Sequence, residues 1–307
     1  MVTSTLPAGA LVALATPTMP SGEPDLESLD RLVEHVVAGG VAGISPCGST
    51  GEGARLTARQ RRDVTARVID RAAGLPVIAG VPVSAVPDAE AELRGLHELG
   101  ARAGLVAPPA YFPMTEAEVE GFYRRLADSS PVPLVLYNIP AFTRVPVPAQ
   151  TVGRLANHPN VVGLKDSSRD LEYLHAAVGA VRDAGPQDFR IYTGTDTMLV
   201  ASTLAGADGS IAASANLVPE LAVQILSLVS NDLPGAIELQ RRLAGIVASC
   251  RRGTPPSGWK AALSLLGLGG PTPVPPALPL PDDAIDQLRR ELLEAVLVEP
   301  TGTGAAG

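Results

Sequence analysis

The chain has 307 residues, 46% of them apolar and 18% charged, which gives it material for a substantial core and excludes disorder of the whole chain. Its net charge is −8 and no basic cluster is longer than Arg61-Arg62 or Arg251-Arg252, so the electrostatic footprint of a nucleic-acid binder is missing. No apolar run approaches the roughly 18–20 residues that span a bilayer, and Ala10–Ala15 has no basic residues ahead of it as a signal peptide would, which leaves no membrane partner.

In chain order, short apolar runs alternate with longer amphipathic ones, the pattern of strand-helix units and a parallel sheet. Ala10–Ala15 reads as the first strand. Leu26, Leu29, Leu32, Val33, Val36 and Val37 then recur at helical spacing until Gly39-Gly40. Val41–Ser45 is the second strand, followed by a helix that a Thr57…Gln60 capping box opens. Val77–Val81 precedes a helix over Asp88–Leu99, and Leu105–Ala107 precedes one opened by Thr115…Glu118. Leu134–Tyr137 leads into Ala149–Ala156, and Val161–Lys165 into Asp170–Val181. Arg190–Thr193 and Gly209–Ala212 are the last two strands.

Eight strands within about 230 residues predict an α/β fold of the (β/α)8 TIM-barrel type over residues 1–230. The glycine fingerprints of dinucleotide-binding and P-loop sheets are absent, which counts against an open sheet. From residue 231 the alternation stops. Helical runs over Pro234–Cys250, Gly258–Leu266 and Asp282–Val298 predict a C-terminal α-helical extension to residue 300, with Pro271–Pro281 extended and 301–307 a disordered tail. Cys47 and Cys250 are too few for a disulfide framework and fit a reducing cytoplasm. His35, His97, His158 and His175 have no ligand-like spacing, so no metal site is expected.

Active sites of such barrels lie at the carboxyl ends of the strands. Of 24 basic residues only Lys165 and Lys260 are lysine, and Lys165 ends the sixth strand. An amine, unlike a guanidinium, can shed its proton and add to a carbonyl, forming an iminium that serves as an electron sink for carbon–carbon chemistry. Doing so near neutral pH means bringing a lysine from about 10.4 to about 7–8, roughly 4 kcal/mol of burial and neighbouring charge. The plainer alternative is a GC-rich genome that replaced most lysines and a Lys165 that merely pairs with Asp166. Tyr137 ends the adjacent strand and can relay protons if Ser49 or Tyr111 positions it, although a lone tyrosine there can also be a packed ring. Gly48-Ser49-Thr50-Gly51-Glu52-Gly53 can hold a small carboxylate through N–H and O–H donors, or can be an ordinary strand-helix turn.

Gly48–Glu52, Pro108-Pro109-Ala110-Tyr111-Phe112-Pro113, Tyr137-Asn138-Ile139-Pro140 and Gly163–Ser168, in this order, resemble the motifs of the dihydrodipicolinate synthase/N-acetylneuraminate lyase superfamily. The likeness extends over essentially the whole chain, including Lys260–Leu263. It implies a class I lyase or aldolase acting on pyruvate or a 2-keto-3-deoxy acid, by cleavage, condensation or dehydration, with no cofactor beyond a covalent Schiff base on Lys165. It also implies Tyr137 as proton relay, and Ser49 with Tyr111 completing a hydroxyl triad. Tyr111 would reach across the interface of a homodimer or homotetramer. Thr50 and the loop backbone at Gly48 would bind the keto-acid carboxylate beside Ile211, and Ser167, Asp196 and Phe142 would also contact the substrate. Phe142 stands where lysine-pathway synthases carry the arginine that grips the aldehyde's carboxylate, and Arg144 lies two residues further on. Thr197 replaces the glutamate that follows the sialic-acid lyases' aspartate, and Ala110 replaces the first of two paired tyrosines. A lysine-pathway synthase condensing pyruvate with aspartate semialdehyde is the alternative within the class. A non-catalytic keto-acid-binding barrel is the alternative outside it.

Overall fold

The computed structural model describes residues 6–185 and 188–297. Eight strands run β1 Gly9–Ala13, β2 Gly43–Ser45, β3 Ile78–Val81, β4 Ala103–Val106, β5 Leu134–Asn138, β6 Val161–Asp166, β7 Arg190–Thr193 and β8 Gly209–Ala212. Helices α1 Leu26–Ala38, α2 Ala58–Arg71, α3 Val86–Leu99 and α4 Glu116–Ser129 follow the first four strands in turn. The short α5 Pro140–Thr143 and then α6 Ala149–Ala156 follow β5, and α7 Leu171–Ala184, α8 Leu199–Leu204 and α9 Pro219–Leu228 follow the last three. Beyond the barrel come α10 Leu233–Cys250, α11 Ser257–Leu265 and α12 Asp282–Leu297. The expected barrel and, as far as Leu297, the helical extension are therefore both present, whereas residues 298–300 of the extension and the residues 301–307 read as a tail lie outside the described residues.

All strand pairings are parallel, in the order β2-β1-β8-β7-β6-β5-β4-β3. The seam between β2 and β3 is closed by an Ile44–Val77 bridge and by the Gly80 N–H donating to the Pro46 carbonyl at 2.9 Å. The two capping boxes form as the sequence indicates: Thr57 and Gln60 cap α2, and Thr115 and Glu118 cap α4. Each satisfies helix-end N–H groups locally, which is why these starts are visible without tertiary information.

Strand alternation divides the core into two layers. One set of side chains, Leu11, Ile78, Leu105, Val135, Tyr192 and Ile211 among them, fills the barrel lumen. The other set faces the surrounding helices. The Tyr192 hydroxyl donates to the Pro7 carbonyl at 2.7 Å and seals the amino-terminal end of the lumen, leaving the carboxyl end as the mouth. Register places Tyr137 opposite Lys165, and Lys165 opposite Tyr192, so all three project from the same face of the sheet.

The proline-rich stretch after α11 passes beside the β1 and β2 loops. The Thr18 hydroxyl donates to the Thr272 carbonyl, and the Val274 N–H donates to Glu52 Oε1 at 2.9 Å. The C-terminal extension is thus fastened to the mouth of the barrel.

Candidate active site

At the end of β6, Lys165 is 3% exposed, and its Nζ lies 4.4 Å from the centroid of the Tyr137 ring on β5. That distance is within cation–π range for a protonated amine. Lys165 has no ion pair among the described residues. Asp166, the partner that the plainer reading gave it, faces away from the lumen. Its carboxylate accepts from Asn138 Nδ2 at 2.7 Å, from the Ser168 N–H at 3.1 Å and from the Ser168 hydroxyl at 2.9 Å. Burial raises the Asp166 carboxyl above the ordinary range, against the lowering effect of those hydrogen bonds. Lys165 is therefore a buried amine without a counter-ion, a costly arrangement that a purely structural side chain would avoid. The space around its stem depends on Gly194: a Cβ there would stand 2.0 Å from Ser167 Oγ and 2.9 Å from Lys165 Cε.

Across the mouth, the Ser49 hydroxyl lies 3.3 Å from the Tyr137 hydroxyl. The loop that carries it is held tightly. Thr16 Oγ1 donates to the Gly51 carbonyl at 2.8 Å, and the Gly53 N–H donates to the Gly48 carbonyl at 3.1 Å. Gly53 is required here, since a Cβ would fall 1.9 Å from the Cys47 carbonyl oxygen. The N–H groups of Ser49, Thr50 and Gly51 have no acceptor among the described residues. A loop with three unpaired N–H groups and two hydroxyls, whose Ser49 and Thr50 line the mouth, is suited to a carboxylate.

Beneath this loop lies an ion pair that no local signal in the sequence announces. Lys260 of α11, 1% exposed, donates to Glu52 Oε2 at 2.6 Å and to Thr18 Oγ1 at 2.8 Å. Glu52 Oε1 also accepts from Arg55 Nη1 at 3.0 Å. The second of the two lysines thus clamps the loop that bears Ser49 and Thr50.

The mouth opens into a cavity of about 380 Å³. Of the residues singled out in the sequence, Lys165, Tyr137, Ser49, Thr50, Ser167, Asp196, Phe142 and Ile211 all line it. Asp196 is buried, with Oδ1 accepting from the Ser214 N–H at 2.6 Å. Phe142 is 54% exposed on α5. Gly48 lines a second cavity of about 330 Å³ on the far side of Ser49, Tyr137 and Phe142. Tyr111 lines neither. It is 85% exposed, packed edge-on against Phe112 at a centroid distance of 4.9 Å, and so is not brought to the site within one chain. Sequence reasoning missed the part of the rim made by Arg169 and by the α10–α11 connection, including Arg251, Arg252 and Trp259.

Cys250 also borders the cavity, but burial pushes its thiol up to about 12, as it does that of Cys47 beneath the loop. Neither is a nucleophile at neutral pH. In the unfolded chain a thiol ionises near 8.5–9, so each contribution to stability is intact below that range and is lost as pH rises toward about 12. Urea unfolding midpoints are expected to fall steadily from pH 8 to pH 10, and less steeply in a Cys47→Ala, Cys250→Ala variant; equal slopes for the two proteins would refute this.

The sequence matches the Dihydrodipicolinate synthetase family over residues 6–295. It is 33% identical over 293 residues to the 4-hydroxy-tetrahydrodipicolinate synthase of Laribacter hongkongensis, covering 94% of this chain and 97% of that protein. The enzyme of the same name from Thermus thermophilus is 36% identical over 290 residues, covering 92% of this chain and 94% of that one. Among solved structures, the dihydrodipicolinate synthase of Thermotoga maritima superposes with a TM-score of 0.91 at 29% identity, covering 95% of this chain and all (100%) of the other. A prophage protein of the same family from E. coli K12, solved in complex with pyruvate, gives a TM-score of 0.90 at 28% identity over 94% of this chain and 99% of its own. This chain belongs to the dihydrodipicolinate synthetase family and is, with it, a lyase of the Schiff-base class.

Proposed function

We propose that Lys165 Nζ adds to the C2 carbonyl of pyruvate or of a 2-keto-3-deoxy acid, expelling water to form an iminium. The iminium withdraws electrons from C3 and so allows the adjacent carbon–carbon bond to form or break. Tyr137, with its hydroxyl beside that of Ser49, relays protons to and from the carbinolamine oxygen and the aldehyde oxygen. The keto-acid carboxylate rests on the acceptor-free N–H groups of Ser49 and Thr50 and on the Thr50 hydroxyl, with Ile211 beside it and Gly48 shaping the loop. Ser167, Asp196 and Phe142 face the aldehyde portion. The barrel of residues 1–230 supplies the reacting groups, and the 231–300 extension completes the rim. The iminium formed on Lys165 is the electron sink, so the reaction calls for no cofactor. Cys47 and Cys250, both free and buried, suit work in the cytoplasm.

One observation carries this reading: a buried amine without a counter-ion, stacked on a tyrosine whose hydroxyl meets a loop of unpaired N–H groups. Borohydride reduction in the presence of pyruvate is expected to leave one reduced pyruvate on the peptide containing Lys165. An unmodified Lys165 by mass spectrometry would end the proposal.

The names of the relatives favour a second reading, condensation of pyruvate with aspartate semialdehyde. Phe142 offers an apolar ring where a carboxylate-gripping arginine is expected, so the carboxylate of this short aldehyde has no partner at position 142 and its turnover should be at least about tenfold weaker than that of the preferred aldehyde, the scale of a lost charged hydrogen bond. Steady-state assays with both aldehydes decide between the readings.

We further propose that the exposed Tyr111 and Phe112, 85% and 73% accessible, are covered in a homodimer or homotetramer, where Tyr111 completes the partner's hydroxyl relay. Tyr111→Phe is expected to lower kcat by about 10-fold or more while leaving the oligomer intact by light scattering. Full activity in Tyr111→Phe would remove Tyr111 from the relay.

A further inference from the structure

The charges that line the cavity bear on the far end of the substrate. In a chain of net charge −8, the charged side chains that line the mouth are Lys165, Arg169, Arg251 and Arg252 against Asp196 alone. Arg252 is accounted for, since it is paired with Glu291 and donates to the Ser249 carbonyl at 3.0 Å. Asp196 uses one carboxylate oxygen on the Ser214 N–H, and its charge still acts on Arg251 from the same lining. Arg169 and Arg251 have no ion pair among the described residues, although 32 acidic residues are available to a chain that pairs many of its arginines. They come from opposite ends of the fold, the turn between β6 and α7 and the turn after α10, and meet at one rim. Both arginines are exposed at this rim; partial desolvation, and secondly the like charge of Arg169, hold the Arg251 guanidinium below its ordinary value, with Asp196 acting in the other direction.

A second observation concerns the backbone. Arg169 has φ 64°, in the left-handed region that costs a residue with a Cβ and that glycine enters freely. Folding alone would favour glycine there. An arginine in that conformation, with its side chain on the cavity, bears a backbone cost of the kind that clusters at ligand-binding sites.

We infer that Arg169 and Arg251 form an anion subsite for the end of the substrate remote from the keto acid, so that the substrate carries a second anionic group, a carboxylate or a phosphate, at its far terminus. Both groups are recognised by guanidinium forks, and a positive mouth on a negative protein draws such a substrate in. This inference rests on the lyase reading above: the loop at Ser49–Gly51 takes the first carboxylate, and the two arginines take the second anion.

The test measures pyruvate release from 2-keto-3-deoxygluconate, from its 6-phosphate, and from the six-carbon analogue with a terminal carboxylate. Wild-type kcat/KM is expected to be at least tenfold higher for one of the two doubly anionic compounds than for 2-keto-3-deoxygluconate, and which of the two identifies the terminal group. In Arg169→Gly and in Arg251→Gln that ratio is expected to fall at least tenfold, chiefly through KM, and to be partly restored in Arg169→Lys. Because glycine relieves the backbone at position 169, the melting temperature of Arg169→Gly should be no lower than that of the wild type, which separates lost recognition from lost folding. A wild-type ratio near one, turnover of neither anionic compound, or a ratio unchanged in both variants overturns the anion subsite. Absence of the borohydride adduct on wild-type Lys165 overturns the lyase reading instead.

Discussion

Lys260→Met is expected to lower the unfolding free energy by about 3–5 kcal/mol, the cost of leaving one member of a buried ion pair without its partner. Glu52, whose side chain has no solvent exposure, would keep only Arg55 and the Val274 N–H as donors. Thr18 Oγ1 would lose the ammonium that it accepts from. Lys260→Arg should not rescue the loss. One tetrahedral ammonium meets both Glu52 Oε2 and Thr18 Oγ1, whereas a planar fork of five donors would bury several of them unmet. A double variant, Lys260→Met with Glu52→Leu, should recover part of the loss, since the buried charge is then gone altogether. Urea denaturation of the three variants checks this; a loss below about 1 kcal/mol in Lys260→Met would show that the pair contributes no more than a surface bridge.

The same clamp bears on activity. Glu52 lies two residues after Thr50, in a left-handed conformation at φ 55°, and its N–H donates to the Ser49 carbonyl at 3.2 Å. Releasing its side chain frees the loop that positions the Ser49 hydroxyl and the unpaired N–H groups.

What the sequence revealed and what it concealed follow from the range of the interactions. Strands, barrel helices and the capping boxes at Thr57 and Thr115 are set by contacts between residues a few positions apart, and their patterns survive in one dimension. Lys165 and Tyr137 were legible because strand ends converge in a barrel, so position in a strand predicts position in the site. Lys260 and Glu52 are 208 residues apart, and a helix in the extension carries no register with a loop after β2, so nothing in the sequence pairs them. Arg169 and Arg251 were hidden for a further reason. The backbone φ that marks Arg169 leaves no trace in residue type when the residue is not glycine or asparagine, and an arginine after Cys250 looks like any solvated helix end. The exposure of Tyr111 is likewise invisible to composition; only the family resemblance suggested a partner for it.

Replacement of Lys165 is the change with the largest expected effect on activity. Lys165→Ala should lower kcat by roughly 10⁴–10⁶-fold, the range found when a covalent nucleophile is removed and only binding and positioned donors remain. Lys165→Arg should be no better, although it keeps the charge and most of the length. A guanidinium stays protonated at any accessible pH and offers no lone pair to a carbonyl. Its planar head must also fit beside Gly194, where the present stem already leaves no room for a Cβ. Tyr137→Phe provides the contrast. It keeps the ring that lies 4.4 Å from Lys165 Nζ and removes the hydroxyl that meets Ser49, so iminium formation should persist while proton relay suffers by about 10²–10⁴-fold. Borohydride trapping with pyruvate separates the two cases: labelling should be lost in both Lys165 variants and slowed in Tyr137→Phe. Labelling at another lysine is restricted to Lys260, the chain's one remaining lysine, which is 1% exposed and engaged with Glu52 and Thr18. A trapped adduct mapped to Lys260 in Lys165→Ala would assign the chemistry to a residue that lines neither cavity, an outcome incompatible with the site as built.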